Sequence, residues 1–414
     1  MSSDAPFDDR AARRNLIALS AASFIGFTGF TLVMPFLPLY MSVLGLTDVR
    51  TIALWTGLSL GVTPALTALL APAWGRLADR FGRKLLVVRS LISFVVLMSA
   101  MALATHPWHV FAVRALQGLF AGYGALCLAM AADSAPPGRI AQSIGVVQTA
   151  QRLGPALGPV LGGVVAALVG LRASFYVTAS FYAIALVQLI VLYREPPAAS
   201  HPSADAAKAE QVTFRSVFAF ENFLLLMGVI FAYQFVDRSF GPVLPLYVAA
   251  VGVPAARVAF VSGVLFSILA CAAALGHHFC AALLARWSPR VVISRGAIAA
   301  AGAALAFIFA SGPWSMAFAS ALFGLSVGAS MTAAYTVAAT VVPPHVRGAG
   351  FGFLTSSSLV GMALSPVVSG FMAATDIRTV FGADAIVLLL VSILVGRVMV
   401  EHPTQSASPV VEDA

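Results

Sequence analysis

The chain has 414 residues, of which 60% are apolar and only 10% are Asp, Glu, Lys or Arg, and its mean hydropathy is +0.94. A soluble domain carries roughly 25% charged residues, so this composition excludes a water-soluble fold and makes lipid the solvent for most of the surface. The net charge of +8 is a signal of membrane topology rather than of nucleic-acid binding, because the basic residues alternate from loop to loop.

A bilayer crossing takes about 20 apolar residues in a helix, whereas a barrel strand takes about ten alternating ones. Twelve apolar blocks predict twelve transmembrane helices at 16–42, 52–73, 85–105, 108–132, 142–168, 173–193, 222–249, 257–284, 291–311, 314–341, 350–373 and 378–400. The first follows a tail with Arg10, Arg13 and Arg14 and is too long for a signal-peptide core, so it is expected to remain as span 1. Of the 24 Lys and Arg, Arg50, Arg172, Arg257 and Arg378 fall in loops after odd-numbered spans, and Arg114, Arg152 and Arg238 fall inside spans. The rest lie in the tails, in loops after even-numbered spans, or at adjacent span ends. That asymmetry places both termini in the cytoplasm. Cys127, Cys271 and Cys280 all lie within spans, form no spaced framework, and are expected to act as small buried hydrophobes.

Span 1 carries "GFTLVMPFLP", with Gly29, Pro35 and Pro38 as conformational punctuation and Phe30 near its centre. The loop between spans 2 and 3 reads "GRLADRFGRK". Gly75 and Gly82 permit a tight turn and close helix approach. Asp79 sits just off the membrane, where the start of span 11, "RGAGFG", offers uncovered backbone N–H groups. A carboxylate there gains roughly 0.3–2 kcal/mol and would latch the two sides of the molecule together, favouring a state open to the outside. Asp133, ending span 4 on the same face, is a natural partner for Arg76 or Arg83. The pattern Gly75, Asp79, Arg80, Gly82, Arg83, Lys84 resembles the signature loop of the major facilitator superfamily. The counterpart in the second half, "LLARWSPR" at 283–290, keeps Arg290 but has Arg286 where Asp79 maps.

Span 4 contains "RALQG", whose Arg114 and Gln117 stand about one turn apart. An arginine within a span costs about 2.5–3.5 kcal/mol on insertion, so it is rarely idle, although one near a span end can also snorkel. Span 5 contains "RLGPALGPVLGG". Gly154, Gly158 and Gly162, with Gly163, make a smooth ridge for close packing, and Pro155 and Pro159 are expected to bend the helix. These elements of spans 1, 4 and 5 resemble motifs of the drug:proton antiporters, an exporter-rich branch of that superfamily. The resemblance implies that Arg114 takes part in proton coupling through a nearby carboxylate.

Asp237 in span 7 is the only acidic residue near the middle of a span and is followed by Arg238. Neighbours on a helix point about 100° apart, so the two need not pair. Asp237 is the candidate proton site, with a structural ion pair to Arg114 or Arg152 as the alternative; Asp384 in span 12 is a second candidate. Tyr233 and Gln234 share the Asp237 face, and with Phe30, Gln117, Phe235, Arg238 and Phe240 they form the candidate substrate cavity. His277, His278 and Cys280 in span 8 lack the further ligands of a metal site, so packing or a vestibule role is expected, with no metal.

Residues 194–220 form the only long polar interval and read as a cytoplasmic linker between six spans, 1–193, and six more, 221–414. Residues 35–47 align with 242–254 at an offset of 207 with six identities. At the same offset 153–163 align with 360–370, again with six identities, and Pro136-Pro137 falls on Pro343-Pro344. The expected fold is therefore all-α, twelve helices in two parallel pseudo-repeats, with a substrate site between the halves. Proton-coupled export of amphipathic drugs by a bacterial inner-membrane carrier is the leading reading. A sugar or metabolite carrier of the same fold is the second, and a non-transporting sensor the third. No P-loop, nucleophile elbow or paired carboxylates point to ATP drive or enzymatic activity, and no cofactor is implied. The partners expected are a small-molecule substrate, protons and lipid, with the chain acting as a monomer.

Overall fold

The computed structural model describes residues 9–136, 139–195, 220–342 and 347–400, with Ala71, Pro72, Gly75, Arg76, Asp79, Ile140, Ala141, Arg347, Gly348 and Ala349 described in backbone only. Most of the expected linker, Pro137, Pro343, Pro344, the surroundings of Gly75 and the side chain of Asp79 thus lie outside what is described.

Span 1 runs Asp9–Val33, tightens into a 3₁₀ turn at Met34–Phe36 and continues as Leu37–Val43. Pro35 and Pro38, which lack the N–H of a regular helix, mark that change of pitch. Span 2 is Val49–Phe81, span 3 Arg83–Ala102, and span 4 is Pro107–Leu119 followed by Tyr123–Asp133. A 53-residue helical stretch covers Ile140–Leu192, about twice what a bilayer needs. Gly170, at φ 82° and ψ 164°, breaks it, so span 5 is 140–169 and span 6 is 171–192. Spans 7 to 12 are Phe223–Ala250, Ala255–Leu284, Pro289–Ile308, Pro313–Val341, Arg347–Ala373 and Ile377–Val398. Among the described residues eleven helices are long and apolar enough to cross a membrane, and since one of them is double, they make twelve crossings. Gly82, with φ at 92°, turns the chain between spans 2 and 3 in a single residue, a backbone state that side chains other than glycine resist.

The sequence repeat reappears as repeated tertiary contacts. Asn15 in span 1 donates to Arg194 O at 2.7 Å and accepts from Arg194 N at 3.0 Å. Asn222, at the offset of 207, does the same with Val400 at 2.9 Å in each direction. Each asparagine therefore ties the start of its six spans to their end, at what is here termed the basal end of the molecule. Likewise Tyr40 donates to Met101 O at 2.7 Å, and its counterpart Tyr247 to Phe307 O at 2.6 Å.

The two sets of six meet along two seams, span 2 on span 11 and span 5 on span 8. Both are backbone contacts. A Cβ added to Gly57 would overlap Pro366 O, and one on Gly370 would lie 2.6 Å from Ala53 O. On the other seam a Cβ on Gly263 would overlap Pro159 O, and one on Gly163 would lie 2.9 Å from Phe260 Cα. Val160 N also donates to Ser267 Oγ at 3.2 Å. Pro159 and Gly163 stand at the offset of 207 from Pro366 and Gly370, so the seams are two copies of one contact. All these positions lie toward the distal end, away from the termini. Along the same helix faces toward the basal end, a Cβ on Gly145 or Gly352 would meet nothing within 4 Å, while Arg152, Cys271, Thr355 and Ser356 are exposed. The halves are closed distally and parted basally.

One expectation changes, and the packing of span 5 is given its partners. The Gly154–Gly158–Gly162 ridge packs against span 1, within one half: a Cβ on Gly154 would lie 2.7 Å from Thr28 N, and one on Gly158 would overlap Thr31 Oγ1. Pro159 and Gly163, on the adjacent face, carry the contact between halves. Helical dihedrals continue through Pro155 and Pro159, and Gly170 ends the span. Cys127 and Cys280 are buried as expected, but Cys271 is exposed, because it lies one turn basal of Ser267 where the seam has opened.

Gly158→Leu is expected to destabilise the first six spans by about 1–3 kcal/mol, seen as a lower melting temperature of the purified protein; an unchanged melt would place the ridge against lipid. Cys271 should react with a water-soluble maleimide while Cys127 and Cys280 do not. Gly57→Val should push the distal seam apart and lower Cys271 labelling as the basal end closes. Equal labelling in both proteins would show that the seam does not control the opening.

Candidate functional site

Arg114 lies in the first helix of span 4 and is 2% exposed. Its Nη1 donates to Gln117 Oε1 at 2.6 Å and its Nε to Ser59 O at 3.3 Å. Its Cζ stands 5.7 Å from the Phe30 ring centroid. Span 2 can come this close because a Cβ on Gly118 would lie 2.6 Å from Thr63 O, and Thr63 Oγ1 donates to Arg114 O at 2.7 Å. Arg114 and Gln117 thus join spans 1, 2 and 4 inside one half rather than lining an open cavity. No carboxylate among the described residues lies within ion-pair distance of Arg114. Hydrogen bonds to a charged group contribute about 1.5–3 kcal/mol each, against several kcal/mol for taking the guanidinium out of water, so the site holds a cation without a full counter-charge.

Span 4 then breaks, which its apolar sequence did not suggest. Gly122 takes φ 117°, and the chain leaves the helix over residues 120–122. In a membrane the freed carbonyls need internal partners. Leu119 O accepts from Trp74 Nε1 at 2.8 Å and Phe120 O from Arg89 Nη2 at 3.0 Å, with Arg89 Cζ 3.8 Å above the Trp74 ring. The two glycines of "FAGYG" were the available signal for this break.

Span 7 divides its face between the two halves. Gln234 Nε2 donates to Ser358 Oγ of span 11 at 2.8 Å, and a Cβ on Gly241 would lie 3.2 Å from Leu60 of span 2. Asp237 lies between them on that face. Its Oδ2 is 3.4 Å from Arg238 Nε, with side chains 25% and 46% exposed, so it pairs with its sequence neighbour and not with Arg114 or Arg152. Phe235 is half-buried and stacks on Phe231 at 5.9 Å. Tyr233 and Phe240, expected at the cavity, face the other way. Tyr233 donates to Ile293 O at 3.2 Å, and Phe240 packs on Phe307, Phe323 and Phe381 at 5.2, 4.8 and 5.6 Å. A helix presents each side chain in a fixed direction, and these two point into the core of the second half. Asp384 is buried beside that cluster, with Ser239 Oγ donating to it at 2.6 Å.

In the basal loop Arg83 Nη1 pairs with Asp133 Oδ2 at 2.7 Å, and Lys84 Nζ donates to Tyr193 O at 2.9 Å. Arg80 lies over the Phe81 ring at 5.3 Å. In span 8, His277 Nδ1 is 2.6 Å from Thr332 Oγ1 of span 10. Over the distal seam a cavity of about 490 Å³ is lined by Asp48, Arg50, Tyr247, Asp376 and Arg378. Asp48 and Asp376 there cap the first turns of spans 2 and 12.

The chain matches the model of the Major Facilitator Superfamily over residues 19–318 and 226–414. It is 30% identical over 400 residues to the multidrug resistance protein MdtG of Enterobacter lignolyticus, covering 95% of this chain and 94% of that one. It is 29% identical over 394 residues to MdtG of Serratia proteamaculans, covering 95% of each. In fold it is similar to a bacterial homolog of the human lysosomal transporter Spinster, in an inward-facing and unoccupied conformation. The TM-score is 0.78 at 18% identity, over 94% of this chain and 97% of that one. A family match along nearly the whole chain, carried by twelve helices in two repeated sets, establishes that this protein belongs to the Major Facilitator Superfamily.

Proposed function

We propose that this chain is a proton-coupled exporter of amphipathic drugs in a bacterial inner membrane, working by alternating access with both termini in the cytoplasm. The observation that carries the reading is the full-length similarity to MdtG multidrug resistance proteins in a chain whose halves are closed at one end only. On this reading residues 1–193 and 221–414 are the moving bodies, 194–220 links them, and the single chain is the working unit. The basal opening is then the cytoplasmic entry, and the distal seams are the closed outer gate. Asp79 serves as the latch when the molecule turns outward, reaching the start of span 11 once the basal ends meet.

Asp237 is the proposed proton carrier, since it stands on the face of span 7 that meets span 11 and span 2 and is partly open to water. The weak pair with Arg238 leaves it free to exchange partners. Asp384, enclosed with Ser239, is next in line.

Everted vesicles energised with a proton gradient are expected to accumulate dyes from an amphipathic panel, and a protonophore should abolish it. Asp237→Asn should retain dye binding and lose gradient-driven transport; proton release on dye binding by the purified Asn variant would assign coupling elsewhere. Asp79→Asn should slow transport while leaving folding intact, and should raise cysteine labelling of the basal vestibule. Unchanged labelling would remove the latch from the mechanism.

A further inference from the structure

The charges inside the membrane are not balanced across the space between the halves. Arg152 belongs to the span 5 face that carries Pro159 and Gly163, two and three turns further on, and those residues touch span 8. Below the Val160–Ser267 contact, Arg152 lies ~12 Å and His277 ~15 Å toward the basal end at helical rise, so they stand at similar depth on the two helices that border the opening. They are within electrostatic reach of one another, as are Arg152 and Tyr335 of span 10. Arg152 is exposed and makes no ion pair or hydrogen bond with the described residues.

Among the described residues, what lies within its reach is polar and carries no carboxylate. His277 is held by Thr332. Tyr335 stacks on Phe351 at 6.4 Å and lies beside Ser358, which Gln234 also reaches. Among the described residues the two carboxylates deep within the spans are engaged elsewhere: Asp237 with Arg238 on the side of spans 2 and 11, and Asp384 with Ser239 inside the second half. Arg114, without a carboxylate of its own, adds positive potential from the first half. A guanidinium in a recess of reduced dielectric attracts an anion far more strongly than it would in water.

We propose that the basal vestibule is a binding site for amphipathic organic anions, with Arg152 receiving the anionic group and Tyr335 and Phe351 receiving the apolar body. This rests on the export reading for its place in transport, and it narrows the substrate class from amphiphiles in general to those bearing a carboxylate, sulfonate or phosphonate. Arg152 belongs to the first half and His277 and Tyr335 to the second, so a bound anion touches both moving bodies.

The test is equilibrium binding to the full-length protein in nanodiscs, with no gradient, using 1-anilinonaphthalene-8-sulfonate as anion and ethidium as cation, each corrected with empty nanodiscs. The wild type should bind the sulfonate about tenfold or more tighter than ethidium. Arg152→Gln should weaken the sulfonate by about tenfold or more while ethidium shifts by less than about twofold, and Arg152→Lys should restore most of the loss. His277→Glu, which sets a carboxylate near Arg152, should lower sulfonate binding more than ethidium binding. Sulfonate affinity unchanged in Arg152→Gln, equal loss of both dyes, or a wild-type preference for ethidium would overturn the proposal. Binding of this kind without any gradient-driven export would instead count against the export reading, so the two fail separately.

Discussion

Five backbone approaches, at Gly57, Gly61, Gly370, Gly163 and Gly263, hold the halves of this protein against each other. In each, a glycine lies against the backbone of a helix from the other half, closer than a Cβ would allow. Contacts of this kind give dispersion over a large flat area without interlocking side chains, and among the described residues one hydrogen bond, Val160 to Ser267, crosses the span 5 seam. Lipid offers no hydrophobic drive for association, so close packing by small residues is what remains. Such a contact is specific in register and still cheap to part, which a carrier that must open and close needs.

Within each half the connections are of another kind. Asn15 and Asn222 each make two hydrogen bonds to the far end of their own six helices, and Tyr40 and Tyr247 bind the ends of spans 3 and 9. Phe240, Phe307, Phe323 and Phe381 form one aromatic cluster in the second half. These are directional bonds and interlocked rings, expensive to break in a low-dielectric interior. Stiff halves joined by smooth seams are the arrangement that the proposed rocking about the distal end requires.

The arginines follow the same division of labour. Those in the basal loops report topology and make exposed contacts such as Arg83–Asp133, which contribute at most about 1 kcal/mol. Arg89 satisfies carbonyls freed by the break in span 4. Arg114 and Arg152 have no counter-charge among the described residues, the first enclosed within one half and the second exposed. A cation that neither caps a helix nor anchors a loop is retained at a cost of several kcal/mol, and that cost is a reason to look for its ligand.

The sequence by itself determined the solvent, the twelve crossings, the duplication and the family. These rest on composition, block length and a repeating offset, quantities that do not depend on where side chains point. It also singled out the glycine-proline stretch of span 5, but not which face of it meets span 1 and which meets span 8. That division, like the inward turn of Tyr233 and Phe240, the pairing of Asp237 with Arg238, and the exposure of Cys271, was decided only by tertiary structure. Helical periodicity groups residues onto faces, but in a protein wet by lipid outside and packed with apolar helices inside, both kinds of face have the same composition. Hydrophobicity therefore cannot tell core from lipid or from cavity, and only the rotation each helix takes against its neighbours can.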